Sequence, residues 1–96
     1  MLGPTPAIHP REILRMEFLV PLNLSAYTVA KQCKVPRTRI ERLAREKAAV
    51  TADIALRLGR YFGTGPEFWL NLQIMFDLSQ AAGAAPEIAE IEPLAS

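Results

Sequence analysis

Seven basic side chains fall between residues 31 and 47: Lys31, Lys34, Arg37, Arg39, Arg42, Arg45 and Lys47. Only Glu41 and Glu46 oppose them, an excess of five positive charges in a chain whose total is +1. Guanidinium groups carry two parallel donors that match guanine O6 and N7 or a phosphate, so arginines concentrated in this way point to nucleic-acid binding. The competing explanation, a merely solvated helix face, fits an even scatter of charge better than a cluster that coincides with a helix-turn-helix spacing.

The elements that must position these groups are legible around them. Ser25 is an N-cap, with Leu24 before it and Val29 one turn in as a hydrophobic staple. Val29, Ala30 and Cys33 then share one side of a first helix. Lys34 and Val35 form the turn, and Pro36 suits the first position of the next helix, where its missing N–H costs nothing. In that second helix Ile40, Leu43 and Ala44 face one way. Thr38, Arg42 and Arg45 face the other, with Arg37 and Arg39 on the flanks. An apolar stripe backed by an arginine-rich one is what a helix lying in a major groove requires. Arg37, Thr38, Arg39 and Arg42 are therefore the candidates for reading bases. Ser25, Tyr27, Thr28, Arg45 and Lys47, at helix ends or flanks, are the candidates for phosphate, with a plain cap as the other role of Ser25 and packing that of Tyr27.

Elsewhere the pattern is also helical. Residues 1–8, with two prolines and a glycine, read as an extended arm. A helix is expected from Pro10, beside His9, with Ile13, Leu14, Glu17 and Phe18 on one face, and it must stop before Pro21. Leu22 and Leu24 of the connection are expected to pack inward. Thr51 caps the next helix, Asp53 sits in its first turn where the dipole favours an anion, and Ile54, Leu58, Tyr61 and Phe62 form its core stripe. Gly63 closes it. Arg57 and Arg60 lie off the stripe and read as solvated. The last helix runs from Pro66 to about Gln80, apolar on more than one face. A domain this small cannot bury all of it, so Trp69, Leu72, Met75 and Phe76 are expected at a homodimer interface. Residues 81–96 carry three glutamates and no base, against a net of +4 for residues 1–80, and read as a mobile acidic tail. Ile88, Ile91 and Leu94 would give it one apolar edge.

Composition excludes several classes. Cys33 and His9 are the only residues of their kinds, too few for a structural zinc site or the usual catalytic sets, so no metal, cofactor or enzymatic activity is expected. Cys33 reads as a small buried hydrophobe and His9 as a local structural residue. No apolar run reaches membrane-spanning length and the start lacks a signal peptide's features, which predicts a cytoplasmic protein. The chain reads as one all-α domain over residues 9–80 between the arm and the tail.

HPREIL at 9–14, VPRTRIERL at 35–43, TADIALRLGRYFGT at 51–64 and PEFWLNLQIMFDL at 66–78 together resemble the HigA antitoxin family, also known as VapI-type antidote proteins. That family is a branch of the lambda-repressor-like helix-turn-helix proteins. The resemblance spans residues 8 to 79, and the last two motifs are the most specific. It implies a five-helix domain and a dimer that represses its own operon at a palindromic double-stranded operator. It further implies neutralisation of an mRNA-cleaving toxin of the HigB type. A stand-alone repressor would use the same DNA surface without the toxin, and a pure interaction module would turn the basic face to an acidic protein or RNA. The chain departs from the family at Arg11, where Gly is usual, at Lys34, where the turn commonly has Gly, and at Glu46-Lys47, where Gly-Lys is frequent.

Overall fold

The computed structural model describes residues 8–45 and 48–94, and among these the chain is helical without strands. The order is α1 (Pro10–Ile13), which continues as a wider π-helical segment (Leu14–Leu19), then α2 (Ala26–Cys33), α3 (Arg37–Ala44), α4 (Ala52–Phe62), α5 (Pro66–Ala84) and a short 3-10 helix (Pro86–Glu90). One core joins them. Leu14, Val29, Ile40, Leu58 and Trp69 are fully buried, one contribution from each of the five helical stretches. Phe18 and Phe62 complete it from the side, with ring centroids 5.2 Å and 6.0 Å from that of Trp69.

Each boundary has a local cause. His9 caps α1 by accepting the Arg11 N–H at Nδ1, 3.0 Å away, and its ring meets the edge of Phe76 at 4.6 Å, so it ties α1 to α5. The first helical stretch ends at Leu19, ahead of Pro21, and Asn23 in the left-handed region (φ 53°) lets Leu24 N–H return to the Leu19 carbonyl at 2.8 Å. Leu24 packs on the core as expected, but Leu22 is exposed, because this left-handed turn swings only the later leucine inward.

The corner between α4 and α5 depends on glycine. Gly63 takes the left-handed C-terminal position of α4 (φ 75°), and Gly65 enters α5 at φ 84°. Gly59 allows the two segments to touch: a Cβ there would lie 2.4 Å from the Gly65 carbonyl carbon.

Sequence and structure differ at three further points. Pro36 is the N-cap of α3 and not its first residue, so the helix begins one residue later than expected, at Arg37, with the proline ring holding φ at −61°. Helix α5 continues to Ala84, four residues past Gln80, since Ala81, Ala82 and Ala84 prolong a helix readily. Beyond it the short 3-10 helix Pro86–Glu90 stands where the sequence reads as a mobile tail, and Ile88, Ile91 and Leu94 are all exposed. The last turns of α5, residues 80–84, are exposed, and the molecule measures 50 × 22 × 21 Å.

Candidate nucleic-acid interface

α2 and α3 are joined by a turn that leaves α3 with one face on the core and one on the surface. Lys34 adopts the left-handed conformation (φ 61°, ψ 45°), and the Val35 N–H reaches the Ala30 carbonyl at 3.0 Å while the Lys34 N–H reaches Lys31 at 3.3 Å. This is the paired bonding of a Schellman cap. A lysine there carries a cost of about 1 kcal/mol relative to glycine. Arg57 of α4 offsets it by donating from Nη1 to the carbonyls of Cys33 (2.8 Å) and Lys34 (3.2 Å). Arg57 is thus no solvated side chain. It fastens α4 to the end of α2 through carbonyls that the helix itself cannot satisfy. Arg60, in contrast, is exposed as expected.

Helix α3 presents its charge outward. Ile40 and Leu43 are buried, whereas Arg37, Thr38, Arg39, Arg42 and Arg45 are all exposed. Thr38, Arg39 and Arg42 come together on a groove of about 410 Å³ between α3 and the start of α4, whose floor includes Leu43 and Ile54. Arg37 lies outside that groove and pairs loosely with Glu41 one turn on, at 3.5 Å. Arg39 is held from α4: its Nη2 lies 3.2 Å from Asp53 Oδ2, the same oxygen that accepts Arg57 Nε at 2.9 Å. Among the described residues, Arg42 and Arg45 make no ion pair.

The phosphate candidates divide differently. Ser25 is foremost a cap, accepting the Thr28 N–H at 3.1 Å, with the Thr28 hydroxyl also 3.1 Å away. Tyr27 is exposed rather than packed, and Arg45 closes the end of α3. Lys47, like Glu46, lies outside the described residues.

Two residues around the site escaped the sequence reading. Asp53 appears there only as a first-turn anion. The acid-before-base spacing of Asp53 and Arg57 signals their pairing, but the link to Arg39 is tertiary and leaves no trace in spacing. The Arg57 hydrogen bond, followed by the charges of Arg57 and Arg39, holds the Asp53 carboxyl below the ordinary aspartate range. Gln73, a polar residue in the buried stripe of α5, accepts the Val50 N–H at 2.8 Å and donates to Asp77 at 2.9 Å. It fixes the segment between α3 and α4, which lines the groove with Ala48 and Ala49. Burial pushes the Cys33 thiol up, against a smaller opposing effect of Arg57, in keeping with a core residue and not a reactive one.

The expected dimer face needs correction at one position. Trp69 is completely buried within the single chain, at the centre of its aromatic cluster, and has no surface to offer a second copy. Leu72 is partly buried against the core and Phe76 is half-buried against His9. Met75 is half-exposed, and with Ile74 and Leu78 it makes the open apolar side of α5.

A core-backed turn between two short helices, with the second helix open and basic within a five-helix body, defines a lambda-repressor-like helix-turn-helix protein. No protein-family model matches the chain. It is similar to virulence-associated protein I of Dichelobacter nodosus, with 48% identity over 91 residues, covering 95% of this chain and 84% of the relative. The antitoxin HigA of Pseudomonas aeruginosa, solved with the higBA promoter, superposes with a TM-score of 0.84 at 43% identity, over 92% of this chain and 98% of that one. The antitoxin GraA, solved in complex with its operator, gives 0.86 at 40% identity over 100% and 98%. The chain belongs to the HigA antitoxin family. Among the described residues no helix is long and apolar enough to cross a membrane.

Proposed function

We propose that the protein is the antitoxin of a type II toxin–antitoxin module. It represses its own operon by binding a palindromic operator as a homodimer, and it neutralises a HigB-like, mRNA-cleaving toxin. It acts in the cytoplasm by binding, without catalysis. The observation that carries the DNA half is the division of α3: Ile40 and Leu43 anchor it, and Thr38, Arg39 and Arg42 stand open on one groove. Relatives of this size and similarity solved with a promoter and an operator support the same reading. The base-reading set is Arg37, Thr38, Arg39 and Arg42, with Tyr27, Thr28, Arg45 and Lys47 assigned to phosphate.

Two copies would set their α3 helices about 34 Å apart, one turn of duplex, when joined through the open side of α5. The exposed Met75 and Leu78 favour that side. In this organisation residues 9–80 are the binding body, and the toxin is taken either by the arm of residues 1–8 together with α1, on the far side from the DNA, or by the acidic tail of residues 81–96. The tail's charge suits the basic surface expected of a protein that handles RNA.

Fluorescence anisotropy with the duplex upstream of the protein's own gene tests the reading. At one fixed salt concentration it should bind about 10³-fold or more tighter than a shuffled duplex of equal length. Equal affinities would defeat the operator assignment. Co-expression with the adjacent small open reading frame tests the toxin half: a stable complex and restored growth are expected, and a chain without such a neighbour would be a stand-alone repressor.

A further inference from the structure

We propose that Asp53 is a specificity-determining positioning residue of operator recognition: its carboxylate holds the Arg39 guanidinium in one orientation at the groove and withholds it from indiscriminate phosphate contact. The inference rests on the DNA-binding reading above and adds a residue that makes no base contact itself.

The geometry is a shared oxygen. Arg39 Nη2 and Arg57 Nε lie 3.2 and 2.9 Å from the same Asp53 Oδ2. Arg57 is itself fastened by Nη1 to the carbonyls of Cys33 and Lys34 at the turn between α2 and α3. Asp53 is therefore located twice over, by its place in the first turn of α4 and by an arginine that is fixed at its other end. An isolated exposed ion pair restrains little, but here the acceptor is already in place before Arg39 arrives. One nitrogen of the Arg39 fork, Nη2, is engaged by the carboxylate, and the remaining donors are left for a base edge. Arg42, which shares the groove, has no such restraint among the described residues.

The carboxylate also works by repulsion. A negative group at the edge of a DNA-facing groove opposes any docking in which phosphate comes close, so wrong registers are penalised. It lowers affinity for duplex in general while it preorganises one contact of the correct complex.

The test is the variant Asp53→Asn, assayed on operator and on random duplex across a salt series. The ratio of the two affinities should fall about tenfold per protomer, the worth of one well-formed arginine–base contact, and so about a hundredfold on the full palindrome. Random-duplex binding should tighten, and its salt dependence should steepen by about one charge per protomer as Arg39 moves onto phosphate. In an Arg39→Ala background the same Asp53 change should leave the ratio where Arg39→Ala alone put it. A ratio within twofold of wild type, or an equal loss in the Arg39→Ala background, overturns the proposal. The second result would trace the effect to Arg57 and the turn. Wild-type protein that fails to prefer the operator would instead overturn the DNA reading beneath it. Should Asp53→Asn not fold, nitrogen-15 relaxation of the arginine Nε–Hε groups in free wild-type protein decides. Arg39 should be clearly more ordered than Arg42 and Arg45, and equal mobility overturns the proposal.

Discussion

Replacing Arg42 by Ala separates base reading from generic attraction more cleanly than any other change in α3. Arg42 projects from the middle of the exposed face, beside Thr38 and Arg39, and it pairs with no carboxylate among the described residues. Arg37 leans on Glu41 and Arg39 on Asp53, so their removal also frees an acid. Removing Arg42 leaves no such residue behind. Alanine is the better helix former and buries nothing at this position, so folding should be unaffected and the melting temperature unchanged. The whole effect should therefore appear in binding. One bidentate contact to guanine discriminates by about 1–3 kcal/mol, and a symmetric dimer loses two of them, giving about 2–6 kcal/mol on a full palindrome.

Anisotropy titrations against a panel of operators, each altered at one half-site position, carry the argument. Arg42→Ala should weaken the native operator and flatten the preference at one position, leaving the others as they were. Its salt slope should stay close to that of the wild type, because base contacts release few counterions. If affinity instead drops by the same factor on every duplex, with the slope falling by about one per protomer, Arg42 holds phosphate. If neither affinity nor preference moves, α3 does not lie in the groove as argued.

Three further changes probe the frame that presents this face. Lys34→Gly removes the strain of a side chain at φ 61° and should stabilise the fold by about 0.5–1 kcal/mol, a rise of a few degrees in Tm; a lower Tm would show that the lysine side chain contributes more than its strain costs. Gly59→Ala drives a methyl to within 2.4–2.6 Å of the Gly65 and Pro66 backbone, which cannot rotate away, so a loss of about 3 kcal/mol by thermal or urea unfolding is expected, and an unchanged midpoint would refute the close approach. Leu78→Glu, at a half-exposed position, should leave the single chain's stability intact but shift sedimentation towards monomer and weaken operator binding. A Leu78→Glu dimer as tight as wild type would move the interface elsewhere.

The sequence made local features plain and tertiary ones almost invisible. Caps at Ser25, Thr51 and Gly63, and the stripes of Val29, Ala30 and Cys33 and of Ile40 and Leu43, follow from i, i+3 and i+4 spacing, and they appear in the structure as read. Trp69 reads as an interface residue because helical periodicity tells which residues share a face but not which neighbour covers it; Phe18 and Phe62 come from other helices to enclose it. The same limit hid Arg57. Its own helix gives it a place off the apolar stripe, and only the arrival of the α2 terminus 24 residues earlier in the chain turns it into a clamp. The basic cluster was readable as charge, yet how its arginines differ was not. Arg39 and Arg42 are separated by three residues and share one groove, but a carboxylate on α4 restrains the first and leaves the second open. Residue type assigns both to the same role, and packing divides them. The basic face is therefore shaped partly from behind, by Asp53 of α4, which pairs with Arg39, and by Gln73 of α5, which holds the backbone of the α3–α4 segment at Val50.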